Sequence, residues 1–213
     1  MSDAERAHPF AERDSALTGG RSRAWMLGLL IAAVVLLSLG GEAVRLALRY
    51  ERTAILNMGE YWRLISGHFV HGSIQHMAVN VAGLGLIAAL FPRGYALSDW
   101  LVIGGLSLIA IDVGFVWYQP QLDWYVGLSG VLHGALAAGA IVWWRRESKA
   151  LAAILAALLV GKLIWEQWQG ALPLSGDIPV IVDAHLYGAG GGLVAGVLLW
   201  CSERRWPCRS RPL

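Results

Sequence analysis

Six long apolar stretches divide the chain, at about residues 24–39, 74–91, 98–117, 127–144, 150–168 and 184–201, most of them separated by short polar breaks. Each approaches the roughly 20 residues a helix needs to cross a bilayer. In lipid every backbone N–H and C=O must find a partner within the protein, so only helices or a closed barrel are admissible, and no alternating strand pattern is present. The expectation is an all-α membrane protein. A six-transmembrane-helix bundle fills residues 24–201, between a cytoplasmic tail at 1–23 and a basic cytoplasmic tail at 202–213. Composition agrees, since only 15% of residues are charged against about 25% in soluble domains.

Several classes fall away. A net charge of +2, with no basic stripe, gives no reason to expect a nucleic-acid partner. Cys201 and Cys208 both lie near the C-terminal end, which implies neither a disulfide framework nor a metal cluster. Ser38 and Gly40 resemble a signal-cleavage site, but the leader before the first stretch is long and mixed in charge, so a retained anchor is expected. Arginines of both tails and of the short inner turns collect on one side of the bundle. Only Arg45, Arg49, Arg52 and Arg63 fall on the other, all in the long loop 40–73, and Lys162 lies within the fifth stretch. By the positive-inside rule both termini are cytoplasmic.

Ionisable or strongly polar groups within such stretches are costly and default to functional hypotheses. Here they are His76, Asn80, Asp112, Ser129, His133, Lys162, Glu166 and His185. Even-numbered stretches all begin on the outer face, so His76, Asn80, Ser129 and His185 share one layer beneath it. A serine needs a neighbouring base to act as a nucleophile, and histidine is the usual one. His76 and Asn80, four apart, share a helix face. With the Ser129 backbone N–H, unpaired at a helix start, they offer donors for an oxyanion. Six histidines are present. Two are in play as base: His185 in the same layer, and His133 one turn beyond Ser129. Gly130 and Gly134, and Gly188 and Gly192, are spaced so that two helices can approach closely.

Four segments, YWRL (61–64), HMAVN (76–80), GLSG (127–130) and AHLYG (184–188), together resemble the rhomboid family of intramembrane serine proteases, in that family's order and over about residues 24–201. The resemblance implies a six-helix rhomboid-like bundle and a Ser129–His185 dyad with no required acid. It implies an oxyanion site of His76, Asn80 and the Ser129 amide, and neither cofactor nor metal. GHFVHGSIQH, GLSGVLHG and DAHLYG are similar to the rhombosortase subgroup. That likeness implies membrane-protein substrates with a Gly-Gly-containing C-terminal transmembrane sorting tail. The setting it implies is a bacterial inner membrane, with the site toward the periplasm.

The remaining candidates each admit two readings. His133 is poorly placed to serve Ser129, because i,i+4 neighbours rarely bring an imidazole nitrogen to a short serine side chain. It either supports the site or packs the core. Gly127 belongs to the nucleophile motif and is a candidate on the substrate side. Asp112 either holds a histidine or receives a basic substrate group, or is a plain acid bonded to a neighbouring helix. Lys162 and Glu166 form an i,i+4 ion pair that lets the lysine snorkel, or they line a lateral gate. His68 and His71, ahead of the second stretch, are expected to be hydrated at the interface. Arg63 is expected to pair with Glu60 or to cap loop carbonyls. Two rival functions stand beside the protease: haem or metal ligation by His76 and His185, and a rhomboid-like protein that binds membrane clients without cutting them.

Overall fold

The computed structural model describes residues 9–91, 96–171 and 180–204. Helix α1 (Pro9–Leu39) begins ahead of the expected first span and ends at a sharp bend. There Gly41 takes a left-handed φ of 77°, and α2 (Gly41–Leu48) departs at 111° to the apolar part of α1. The long loop then carries β1 (Tyr50–Glu51), α3 (Arg52–Met58) and α4 (Arg63–Ser66). Five further elements of the bundle follow: α5 (Ile74–Leu90), α6 (Leu97–Tyr118), α7 (Ser129–Arg146), α8 (Lys149–Gln169) and α9 (Val182–Arg204), with β2 (Trp124–Tyr125) between α6 and α7. Residues 9–23 of the expected N-terminal tail continue helix α1, and 202–204 of the expected C-terminal tail end α9; residues 1–8 and 205–213 lie outside the described residues.

Local chemistry sets several of these boundaries. Ser73 caps α5, its Oγ accepting from the His76 N–H at 3.1 Å, and Ser148 caps α8 in the same way through Leu151. Among the described residues three helices are long and apolar enough to span a membrane, α6, α8 and α9, and a fourth span results if the bent α1–α2 pair counts as one. The other two expected spans differ for identifiable reasons. Helix α5 has only 17 residues. Helix α7 is packed against α5, α6, α8 and α9. Enclosed by neighbours, it uses small residues (Gly130, Gly134, Ala135, Ala137, Ala138, Gly139) where a lipid-facing helix would use leucine.

Among the described residues three apolar clusters meet around α7, the smallest of them Ala137, Leu159, Leu163 and Ala189. One joins Val34, Leu84, Ile87, Phe91, Ile103 and Leu132 along the bundle. Another gathers Tyr50, Ile55, Ile111, Phe115, Tyr125 and Ala184 beneath the loop 40–73. Phe115 sits between Tyr50, at 5.4 Å, and Tyr125, at 4.8 Å between ring centroids, a separation typical of favourable aromatic pairs. Outward-facing Leu101, Ile109, Leu158 and Ile164 are exposed, as expected of helices solvated by lipid.

The loop is anchored by arginine. Arg63, almost buried, donates to the carbonyls of Leu46 at 2.8 Å and Arg49 at 3.0 Å and pairs with Glu60 at 2.5 Å. Both expectations for Arg63 therefore hold. Arg52 reaches the C-terminal end of α6 and donates to the carbonyls of Phe115 and Val116 at 3.0 and 2.9 Å, where a helix leaves its last carbonyls unpaired.

Candidate functional site

The turn before α7 is built backbone upward. β1 and β2 pair antiparallel, Tyr50 opposite Tyr125 and Glu51 opposite Trp124, which ties the loop to the residues just ahead of GLSG. The Tyr125 hydroxyl donates to the Gly127 carbonyl at 2.6 Å, and the Gly127 N–H donates to the Gly67 carbonyl at 3.1 Å. Burial pushes the Tyr125 phenol well above its ordinary range, so it stays a donor. Gly127 has φ +123°, and a Cβ there would lie 2.7 Å from the His76 ring. Glycine is therefore required twice over, by conformation and by space.

Ser129 opens α7 and is half-buried. Its Oγ lies 2.8 Å from His185 Nε2 on α9, so the hydroxyl can donate to that nitrogen. On the other side of the ring, His185 Nδ1–H donates to Glu166 Oε2 at 2.9 Å. The second carboxylate oxygen of Glu166 takes Lys162 Nζ at 2.6 Å. His133 lies flat on His185, with centroids 4.1 Å apart and planes at 15°, and its Nδ1–H donates to the Ser129 carbonyl at 2.7 Å. The close helix approach that permits this comes from glycine. A Cβ on Gly130 would lie 2.7 Å from the Ala184 carbonyl oxygen, and one on Gly134 2.7 Å from that of Gly188. A Cβ on Gly188 or Gly192 would in turn collide with the backbone of Gly130 or Gly134.

A hydroxyl, an imidazole on a second helix and a glycine-lined seam define what the chain can be compared with. A family model described as the Rhomboid domain matches residues 58–202, more than half of the chain. The chain belongs to the rhomboid family. It is also similar to rhomboid protease GlpG of Klebsiella pneumoniae subsp. pneumoniae and to the same protein of Klebsiella pneumoniae strain 342, each 28% identical over 145 residues. Those alignments cover 66% of this chain and 50% of each relative, so the chain spans about half the length of the curated relatives it matches. The rhomboid match begins at the end of α3. Helices α1 and α2 and strand β1, which brace the site, precede it.

Within this rhomboid frame the other predicted residues separate. A cavity of about 220 Å³ is lined by His76, Ser129, Trp124, Tyr125, Val126 and Ile181, among others. His76 and Ser129 thus face one space. Asn80 does not line it: its Nδ2 donates to the His76 carbonyl of its own helix at 2.9 Å. Among the described residues His76 Nδ1 and Asn80 Oδ1 have no partner.

His68 and His71 are both buried, which corrects the expectation of hydrated histidines. His68 packs against the Tyr125 ring at 5.3 Å between centroids, and beside His71 Arg45 of α2 donates to the Gly72 carbonyl at 3.1 Å. His71 Nδ1 lies 3.1 Å from Ser38 Oγ, and His68 Nε2 lies 3.4 Å from Asp112 Oδ1. Asp112 therefore holds a histidine, though one remote in sequence from GLSG and AHLYG.

Glu166 is the connection that sequence reasoning missed. Its pairing with Lys162 was legible from the i,i+4 spacing, whereas its contact with His185 depends on how α8 is rotated about its axis. A buried acid one turn from a lysine in an apolar helix was the available signal. His133, Glu166 and His185 also offer ligand atoms within 4.8 Å of one another. Metal coordination fits poorly there, because stacked imidazoles direct their in-plane lone pairs side by side and metal ligands must converge. Both nitrogens of His185 already serve Ser129 and Glu166. The arrangement suits proton transfer to and from a hydroxyl better than it suits a cation.

Proposed function

We propose that this chain is an intramembrane serine endopeptidase with Ser129 as nucleophile and His185 as general base. The observation that carries the reading is the 2.8 Å contact between Ser129 Oγ and His185 Nε2 across the α7–α9 seam. Ser129 Oγ attacks the scissile carbonyl and its proton passes to His185 Nε2. The oxyanion forms against the first-turn N–H groups of α7, where the helix dipole is positive, with the His76 ring on the same cavity wall. As the C–N bond breaks, His185 returns the proton to the leaving amine. A water molecule then releases the acyl group by the same path. Asn80 contributes from behind, holding the first turn of α5 through the His76 carbonyl.

The chain is placed by this reading in a bacterial inner membrane as six spans, with both termini cytoplasmic and the cavity toward the periplasm. Its substrates are membrane proteins with a Gly-Gly-containing C-terminal transmembrane tail, in the manner of rhombosortase. What supports the substrate class is GLSGVLHG, DAHLYG and GHFVHGSIQH. A glycine pair is also the segment of a membrane helix most readily unwound into the extended form an active site needs.

Co-expression with a substrate carrying such a tail tests both parts. Loss of the tail with wild type and its persistence with Ser129→Ala is the expected outcome. Persistence with both, combined with fluorophosphonate labelling of Ser129, would retain the protease and discard the tail. An unlabelled Ser129 would discard the protease.

A further inference from the structure

We propose that Glu166 is a positioning residue for His185, so that the site works as a Ser129–His185–Glu166 relay and not as the two-residue arrangement implied by the family resemblance. The proposal rests on the reading of Ser129 and His185 as nucleophile and base.

The geometry carries it. Glu166 and His185 are both buried, with 3% and 4% of their surface exposed. A carboxylate oxygen accepts and does not donate. The 2.9 Å contact from Glu166 Oε2 therefore requires the proton of a neutral His185 on Nδ1. That leaves the lone pair of Nε2 facing Ser129 Oγ at 2.8 Å, the tautomer a general base needs. An imidazole with no such partner has two tautomers to choose from, one of which presents N–H to the serine and cannot take its proton.

The ring is fixed in two directions. Glu166 holds it at its edge, and His133 covers one face at 4.1 Å. His133 is itself immobilised by the Ser129 carbonyl, so the supports close back onto the nucleophile's own residue. Lys162, about one-third exposed, takes the outer oxygen of Glu166 at 2.6 Å. Opposite charges in contact lessen the cost of a carboxylate in an apolar helix. Polar contacts thus run unbroken from the outer side of α8 to Ser129: Lys162, Glu166, His185, Ser129.

The proton account is simple. When Ser129 Oγ bonds to the scissile carbon, its proton moves to His185 Nε2, and the imidazolium keeps Nδ1–H on Glu166. The carboxylate faces the new positive charge and takes no proton. When the C–N bond breaks, Nε2–H is delivered to the leaving amine and the ring returns to its starting tautomer.

Glu166→Gln tests the proposal in full-length protein reconstituted in vesicles, with Ser129→Ala measured alongside. The glutamine amide can donate to Nδ1 and select the wrong tautomer, so kcat should fall by about 100-fold or more while KM changes by less than about threefold. Glu166→Asp, which restores the charge on a shorter stem, should recover part of the loss. A structural defect would lower the folded fraction and would not separate kcat from KM or respond to the charge. Glu166→Gln at wild-type kcat beside an inactive Ser129→Ala would overturn the relay and leave the Ser129–His185 reading intact. Activity in Ser129→Ala would overturn that reading itself. If Glu166→Gln does not fold, nitrogen NMR of histidine-labelled wild type decides: His185 protonated on Nδ1, with its proton far downfield, is expected, and protonation on Nε2 refutes the proposal.

Discussion

Gly188→Ala is the sharpest test of how the two halves of the site are brought together. An added methyl at Gly188 would strike the Gly130 carbonyl, with its carbon 2.6 Å away, whereas ordinary contact begins near 3.4 Å. Both atoms that collide belong to helix backbone, so no side chain can turn aside. Relieving the carbon alone needs about 0.8 Å of separation, and the carbonyl oxygen, nearer still, needs more, so the helices must part by at least about 0.8 Å. His185 lies on the same helix, less than one turn earlier, and its 2.8 Å contact with Ser129 would open to about 3.6 Å or more, beyond hydrogen-bond range. Overpacking of this kind costs about 1–3 kcal/mol, and misplacing reacting groups by about 1 Å can cost 100-fold in rate. The expectation is a folded protein with thermal stability lowered and kcat/KM reduced by about 10- to 100-fold in a vesicle cleavage assay. Gly190→Ala, two residues along the same helix and facing open space, is the control and should be neutral or slightly stabilising. Equal effects of the two substitutions, or wild-type kcat/KM in Gly188→Ala, would refute the backbone-contact argument.

Other consequences can be checked separately. Ser129→Ala and His185→Ala each abolish cleavage of a tail-bearing substrate, whereas His133→Ala retains a measurable fraction and His133→Phe, which restores the stacked face, exceeds it; gel-based cleavage time courses rank the four. Arg63→Ala, which strips the partly buried Leu46 and Arg49 carbonyls of their donor, lowers stability by about 1–3 kcal/mol, read from unfolding in detergent. Burial first, and then the neighbouring His76, lowers the His71 pKa from 6.5 to about 3. Between those values the unfolded chain binds a proton at this residue and the folded one does not, so stability falls as pH falls from 6.5 toward 3, by at most about 1.4 kcal/mol per pH unit. His71→Asn should flatten that slope in acid-unfolding curves, and an unchanged slope would show that His71 is not its source.

The sequence made the helical ladder readable because lipid enforces it. Apolar length alone located the helices at 74–90, 97–118 and 149–169 to within a residue or two of their structural bounds. Small residues four apart on two stretches also anticipated the α7–α9 seam, since little else explains Gly130, Gly134, Gly188 and Gly192 together. Contacts set by rotation about a helix axis were not readable. Whether Glu166 faces lipid, Lys162 or His185 differs by a fraction of a turn, and α8 shows no strong amphipathic stripe to fix it. Likewise β1 and β2, at two residues each, are too short to carry any alternation. His71 is held by contacts at either side of the bend at Gly40–Gly41, Ser38 and, through Gly72, Arg45, and His68 by Tyr125 and Asp112 from distant elements; no pattern in the local sequence encodes either set of contacts.

One feature of the chain order bears on biogenesis. Ser129 is supplied by α7, but its hydrogen-bond partner His185 comes from α9, two helices later in the chain, and Glu166 from α8 between them. A ribosome makes these helices in sequence. While α7 is already threaded and α9 is still unmade, the serine hydroxyl lacks the His185 ring. On the proposed mechanism, a chain that still lacks α9 has no base for that hydroxyl. If Ser129 and His185 act as proposed, competence arrives only when α9 docks into the glycine seam, so the synthesis of α9 acts as the safety catch.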